Sequence, residues 1–196
     1  MSVLQPQAFY SFDDYLRAER ECVDARHEYF NGDVFAMTGA SWEHNLITAN
    51  LTGELSLALK QRPCYVVGND MRVRVERANV GTYPDVAVLR DEPRFYDERR
   101  GTVVNPTLLI EVLSRSTEGH DRGGKFAAYR QLPSLRQYVL VAQDRVGIDL
   151  LTRETDERWV LTAFDTLDQT LVLDAIDCAI RMAEIYAKVD IDAGAR

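Results

Sequence analysis

The sequence predicts an α/β domain with a central mixed β-sheet flanked by helices. Three observations predict it. Residues 83–89, 108–113 and 137–141 are apolar runs of strand length, and short apolar runs bounded by turn residues read as buried strands. Residues 41–60 carry Ile47, Leu51, Leu55 and Leu59 at four-residue steps, which is the stripe of a helix packed on one face. Residues 26–30 and 33–37 are joined by Asn31-Gly32, a pair that tolerates the positive φ of a tight hairpin turn.

The elements follow in order. Ser11 can cap a first helix running to Glu21, with Asp13 and Asp14 at its positive end. The hairpin comes next, then the long helix, capped by Ser41 and widened by Ala58. Residues 64–67 and 71–75 read as strands; the second alternates, which predicts one wet face. The Asp85 run follows. Residues 91–106 form a long charged loop with Arg94, Arg99 and Arg100 beside Asp91, Glu92, Asp97 and Glu98; loops of that length are commonly functional or mobile. After the Glu111 run, a helix is expected near residues 118–132, weakened at its start by Gly123-Gly124 and stopped by Pro133. Residues 146–151 and 158–164 read as an antiparallel pair, 171–173 as a short edge strand, and 180–189 as a final helix. No repeat, low-complexity tract or linker interrupts the chain, so residues 1–196 read as one domain: an N-terminal helix and hairpin over 10–40, a core over 41–142, and C-terminal strands and helix over 146–189.

Composition narrows the function classes. The net charge of −8 argues against a surface that coats nucleic acid generally, while leaving room for one local basic patch. Cys22, Cys64 and Cys178 are sparse and form no Cys-x-x-Cys pair, which removes zinc-ribbon and thioredoxin readings and fits a reducing, cytoplasmic setting. The first residues lack a basic-then-apolar pattern, so no signal peptide is expected. No apolar run approaches the roughly 18 residues of a membrane span. Nucleophile-elbow, P-loop and His-Glu-x-x-His motifs are missing.

The chemistry-bearing residues are Asp85 and Glu111, each in an otherwise apolar strand-like run, and Lys125, one of three lysines in the chain. Burying an unpaired ion costs several kcal/mol or more, so such acids are paired or bind metal. Each has a plainer reading: Pro84-Asp85 as a turn, Glu111 as the partner of an arginine, Lys125 as surface charge. If the two strands are neighbours, Asp85, Glu111 and the backbone carbonyl of Val112 can hold a hard divalent cation, with Lys125 orienting water or stabilising a phosphoryl transition state. His44, one turn into the long helix, can cap or pack, or serve the site as a phosphate contact or a supporting partner. Glu28, before the hairpin turn, can pair with an arginine or join the acids. Asp121 and Arg122 can brace the lysine helix, and Arg122 can also touch phosphate. Ser114, Ser116 and Thr117 suit a helix cap.

This outline resembles the PD-(D/E)XK nuclease superfamily, with Pro84-Asp85 as the first acidic element and Glu111 as the second. Leu113 stands where the superfamily lysine usually lies, and Lys125 resembles the migrated lysine of some branches. A closer resemblance is to the Uma-type restriction endonuclease family. It rests on Glu28 with Gly32, Ser41-Trp42-Glu43-His44, Pro84-Asp85, residues 111–117 (Glu-Val-Leu-Ser-Arg-Ser-Thr), residues 121–125 (Asp-Arg-Gly-Gly-Lys), Tyr129 and Tyr138, in that order over about residues 10–165. Arg115 departs from the family's usual proline. The resemblance implies a restriction-endonuclease-like core and Mg²⁺-dependent hydrolysis (Mn²⁺ as a substitute) of DNA phosphodiesters. It also implies a homodimer, for which residues 146–164 offer one surface. A non-catalytic nuclease-fold binding module, or a metal-dependent phosphoesterase acting on another substrate, stays open beside it.

Overall fold

The computed structural model describes residues 10–191. Helix α1 (Phe12–Glu21) starts at Ser11, whose side chain accepts a hydrogen bond from the Asp14 N–H. Strands β1 (His27–Phe30) and β2 (Asp33–Ala36) form the hairpin, with Asn31 at φ 50° and Gly32 at φ 104° in its turn. Helix α2 (Trp42–Leu59) begins at Ser41, which accepts from the His44 N–H. Strands β3 (Cys64–Gly68), β4 (Arg72–Val75), β5 (Val80–Thr82) and β6 (Val86–Arg90) follow, and then β7 (Thr102–Val103) and β8 (Leu108–Leu113). A helical segment comes next: α3 (Glu118–His120), a π-helical turn (Asp121–Lys125) and α4 (Phe126–Tyr129). Beyond it lie β9 (Gln137–Ala142), β10 (Ile148–Arg153), β11 (Trp159–Phe164), β12 (Thr170–Leu173), a 3₁₀ turn (Asp174–Ile176), β13 (Cys178–Arg181) and α5 (Met182–Ile185).

The strands form three sheets: β2-β1-β5-β4-β7, β11-β10-β9-β8-β6-β3, and the pair β12-β13. The six-stranded sheet is mixed, with β8 and β9 parallel and its other pairs antiparallel. One face packs Val86, Val88, Leu108 and Ile110 against Ile47, Leu51, Leu55 and Leu59 of α2, together with β12, β13 and α5. The other packs Ala87, Leu89, Leu109, Tyr138 and Leu140 against Ala128 and Tyr129 of α4 and Val73, Val75 and Val80 of the first sheet. Fully burying one such aliphatic side chain contributes about 1.5–3 kcal/mol, so the helices are fixed to the sheet more by packing than by their own propensity.

Four expectations need correction. The chain over residues 180–189 is not one helix: β13 ends at Arg181, and α5 occupies only Met182–Ile185. Ile180 reaches the core from β13, and Met182, Ile185 and Tyr186 reach it at helical spacing, imitating the stripe of a longer helix. Residues 171–173 are not an edge of the main sheet but belong to β12 in the separate β12-β13 pair. Strand β4 has no wet face, since Arg72 and Arg74 are buried beside its valines. Their guanidinium groups lie over the rings of Tyr83 and Phe12; Arg72 also donates to Tyr83 and Thr102, and Arg74 to Val80 and Asn79. Aromatic faces and fixed acceptors replace the water these cations lose. Finally, Asp85 sits one residue before β6 rather than inside it.

The long charged loop folds onto α1. Tyr96 donates to Asp13 and meets Phe12 edge-on, and Asp97 pairs with Arg20.

Candidate active site

Strands β6 and β8 are antiparallel neighbours, with Val86 opposite Ile110. That register carries Asp85 and Glu111 to adjacent positions across the pair. Asp85 bridges two elements: one oxygen accepts from the Val112 N–H at 2.7 Å, and the other lies 2.9 Å from His44 Nε2. His44 stands three residues before Ile47, so it extends the inward face of α2 to the end of the sheet. The turn reading of Pro84-Asp85 thus gives way to a carboxylate held between β8 and α2.

Glu111 is buried on β8. Its ion-pair partner is Lys125, 3.2 Å away, and the same oxygen accepts from the Tyr129 hydroxyl at 2.8 Å. Tyr129 is 2.8 Å from Thr82 Oγ1, which fixes the hydroxyl from its other side.

Lys125 is also buried and contacts two further carboxylates, Glu28 at 3.0 Å and Asp121 at 3.3 Å. The second lies four residues earlier in the π-helical turn. π-helical turns are rare and recur at functional sites; here Gly123-Gly124 weakens the regular helix. Gly124 also gives the His120 ring its place, because a Cβ there would lie 3.1 Å from His120 Nδ1. Tyr138 donates to the Asp121 carbonyl from beneath. Glu28, on β1, accepts from the Tyr83 N–H; its cationic partner is Lys125, contributed by a distant segment, not an arginine across the hairpin.

Arg122 takes the bracing role expected of it and not the alternative of facing the acids. It pairs with Glu118 and with Asp149 of β10, bracing the helical segment against the sheet rather than facing the acids. Ser114, Ser116 and Thr117 form a hydroxyl-linked turn before α3. Tyr129 and Tyr138 stand out in the sequence only as motif members, and Thr82 and His120 carry no local signal. The signal for Tyr129 was its spacing four residues after Lys125, which puts both on one helical face.

The cluster is acid-rich: Glu28, Asp85, Glu111 and Asp121 share one lysine and His44. Burial lifts the Glu111 carboxyl well above its ordinary pKa; Lys125 pulls the other way, and the charges of Asp121, Asp85 and Glu28 add to the rise. Burial alone would lower the Lys125 pKa, but Glu111, Glu28 and Asp121 overcome it and hold the ammonium well above its ordinary value. The two shifts differ in cause: burial dominates at Glu111, whereas the lysine gains from three acids. Burial, with Lys125, lowers the pKa of His120. Its Nε2 is buried without a hydrogen-bond partner among the described residues.

This donor set fits a hard divalent cation better than a soft one. Carboxylates on adjacent strands supply oxygen, and no cysteine takes part. Among the described residues no group of three or more His, Cys, Asp or Glu side chains is placed to hold a metal ion by itself. Mg²⁺ tolerates that, since it commonly takes one or two carboxylates and completes its shell with water and substrate oxygens.

A mixed sheet with one acid just before a strand, a second inside the neighbouring strand and a lysine from the following helical segment defines a restriction-endonuclease-like fold. The Anabaena variabilis protein solved as "a putative nuclease belonging to DUF820" shares it, with TM-score 0.74 and 15% identity over 91% of this chain and 98% of that one. The chain belongs to the Uma2 family, "Putative restriction endonuclease", which residues 12–183 match. It is also similar to two Synechocystis sp. proteins. Uncharacterized protein slr1290 is 35% identical over 176 residues, 89% of this chain and 90% of that one. Uncharacterized protein sll1609 is 35% identical over 149 residues, 76% and 84% respectively. Among the described residues no helix is long and apolar enough to cross a membrane.

Proposed function

We propose that this protein is a Mg²⁺-dependent endonuclease that hydrolyses phosphodiester bonds in DNA. The observation that carries this reading is the placing of Asp85 and Glu111 on adjacent strands by the β6–β8 register, with a buried, charged Lys125 beside Glu111. A fold gains little from three buried acids around one lysine, with a fourth on the neighbouring strand, unless another cation joins them.

Asp85, Glu111 and the Val112 carbonyl would hold the ion, with Mn²⁺ as a substitute. Bound there, it would neutralise phosphate charge and acidify water. Lys125, kept protonated by its carboxylates, serves as a donor: it positions water or stabilises charge on a phosphate oxygen, and it is a poor general base. Glu28 and Asp121 hold its ammonium, Tyr129 holds the Glu111 oxygen, and His44 orients Asp85.

The test is incubation of the purified protein with supercoiled, linear duplex and single-stranded DNA in Mg²⁺ or Mn²⁺. Cleavage that Asp85→Ala and Glu111→Ala abolish is the expected result. Intact DNA in every form, or cleavage that survives either substitution, would refute the proposal.

A homodimer has a candidate surface at β11, the outermost strand of its sheet. Its six residues carry no charge, and Leu161 is exposed. Unprotected edge strands of this kind invite pairing. Light scattering at the monomer mass would remove this part of the reading.

A further inference from the structure

We infer that Glu19 of α1 is a positioning residue for Lys125, acting through Tyr83 and Glu28. This rests on the nuclease reading of the site and adds a remote element on which the site depends.

Helix α1 buries one face, made of Phe12, Tyr15, Leu16 and Glu19. The four stand at the i, i+3, i+4 and i+7 positions of a core-facing stripe, and the fourth is a carboxylate where an apolar side chain belongs. A buried carboxylate is costly unless hydrogen-bonded, and Glu19 is held at both oxygens. Oε1 accepts from the His27 N–H and from the Tyr83 hydroxyl, each at 2.9 Å. Oε2 lies 2.9 Å from His27 Nδ1. The Tyr83 hydroxyl also accepts from Arg72. Because a guanidinium only donates, the proton of that hydroxyl is left for Glu19.

These contacts fill the place where β5 parts from β1. The two strands pair at Phe30–Val80 and Tyr29–Gly81. Continued, that register would set Glu28 opposite Thr82 and His27 opposite Tyr83. Carboxylates take the N–H groups there instead: Glu19 takes that of His27, and Glu28 takes that of Tyr83 at 3.2 Å. The same Glu28 oxygen lies 3.0 Å from the Lys125 ammonium. The bonds close a ring from Glu19 to His27, along the chain to Glu28, across to Tyr83 and back to Glu19. Glu28 is thereby fixed from its backbone and from its carboxylate.

Tyr83 and Pro84 also link β5 to β6, which belong to different sheets. Pro84 has no N–H to offer, so the link is tied to the lysine through Tyr83. Asp85 is held separately, by His44 and the Val112 N–H. The ring therefore serves the lysine and leaves the metal-holding acids to other bonds.

The test reads Lys125 directly. The chain has three lysines, Lys60, Lys125 and Lys188, and only Lys125 is buried. Protein labelled with ε-¹³C lysine gives one NMR signal for each, and Lys60→Arg and Lys188→Arg assign Lys125 by exclusion. Tyr83→Phe and Glu19→Ala are each expected to move the Lys125 signal and to lower kcat roughly ten- to a hundredfold, with KM and the Mg²⁺-induced rise in Tm retained. Glu19→Gln, which keeps an acceptor oxygen, stays near the wild type. Tyr186→Phe deletes a buried hydroxyl bonded to the Ala142 carbonyl in the α2-side core; it controls for lost stability and leaves both readouts in place. A Lys125 signal unmoved by Tyr83→Phe, or a kcat loss no greater than that of Tyr186→Phe, would overturn the inference. Wild-type protein that cuts no DNA while its Lys125 signal moves with Tyr83→Phe would overturn the nuclease reading and support the ring as the lysine's anchor.

Discussion

Replacing Glu111 by Gln separates a functional cluster from a structural one. Glu28 and Asp121 both contact the Lys125 ammonium that Glu111 contacts, so their oxygens lie within about 6 Å of the Glu111 oxygen. At an effective dielectric near 20, attraction to Lys125 at 3.2 Å is about 5 kcal/mol. Repulsion from two acids at about 6 Å is roughly 3 kcal/mol each. The terms nearly cancel, leaving the cost of burying the charge, several kcal/mol before relaxation. The amide oxygen of Gln can still accept from Tyr129 and Lys125, and Lys125 keeps two carboxylates. Without added metal at pH 7, Glu111→Gln is therefore expected to be about 1–2 kcal/mol more stable than the wild type, raising Tm by roughly 2–8 °C at this chain length. Because the folded-state pKa of Glu111 is raised, the wild type loses stability as pH rises from the unfolded value of about 4.3 through the folded one. The gap between the two proteins should close on acidification toward pH 4. Urea unfolding at both pH values, with a cleavage assay beside it, is the measurement. A variant about 2 kcal/mol or more less stable at pH 7 would refute the reasoning and make Glu111 a structural ion-pair residue.

Lys125→Met orphans three buried carboxylates and should destabilise the protein by about 3–5 kcal/mol, read by urea denaturation at pH 7. The Lys125 pKa is raised on folding, so its stabilisation is complete below about pH 10.4 and is lost only as pH climbs through the folded value; alkaline unfolding should come earlier in the variant than in the wild type. Saturating Mg²⁺ should raise the wild-type Tm, by the equivalent of about 2.7 kcal/mol at a hundred times Kd, and should leave Asp85→Asn unmoved in differential scanning calorimetry. His44→Ala should lower cleavage more than stability, because it frees Asp85 without opening the core. Gly81→Ala places a Cβ 2.5 Å from the Phe12 ring and should cost about 1–3 kcal/mol by displacing α1, with the Mg²⁺ response retained.

The hairpin, α2 and the three core strands were legible in the sequence because local signals and tertiary packing agree there. Asn31-Gly32 sets its own turn, Ser41 caps its own helix, and residues 108–113 are buried on both faces. The same apolar runs single out Asp85 and Glu111 as acids in strand surroundings, while their meeting with Lys125 depends on strand pairing and on the turn of the following helix. Tertiary structure decided the rest. Arg72 and Arg74 alternate with valines as surface residues would, and only the docking of α1, with Phe12 and Tyr15, turns their face inward. Residues 180–189 carry a helical stripe divided between β13 and α5. Arg122 shares the motif of Lys125, yet the π-helical turn sends the two side chains to opposite tasks.

That turn bears on why the lysine can leave its usual strand. Two residues after Glu111, at Leu113, a side chain faces the same side of β8 and could reach the acid directly, but the chain has filled that place with core. Lys125 instead arrives from a helical segment whose regularity is broken by Gly123-Gly124 and whose position is secured by Arg122 on Asp149, Tyr138 on the Asp121 carbonyl and Tyr129 on Glu111. The anchors surround the break, so the local loss of helix stability is offset by contacts to the same sheet that carries the acids. Removing one anchor should therefore shift Lys125 without unfolding the domain. Tyr129→Phe, which deletes a single buried hydroxyl and leaves Thr82 and Glu111 each short of a hydrogen bond, is expected to cost about 1–3 kcal/mol. On the proposed mechanism it should reduce kcat while leaving KM little changed, because it displaces Lys125 and Glu111 and touches no substrate. A Tyr129→Phe enzyme with wild-type kcat would show that the hydroxyl only fills space.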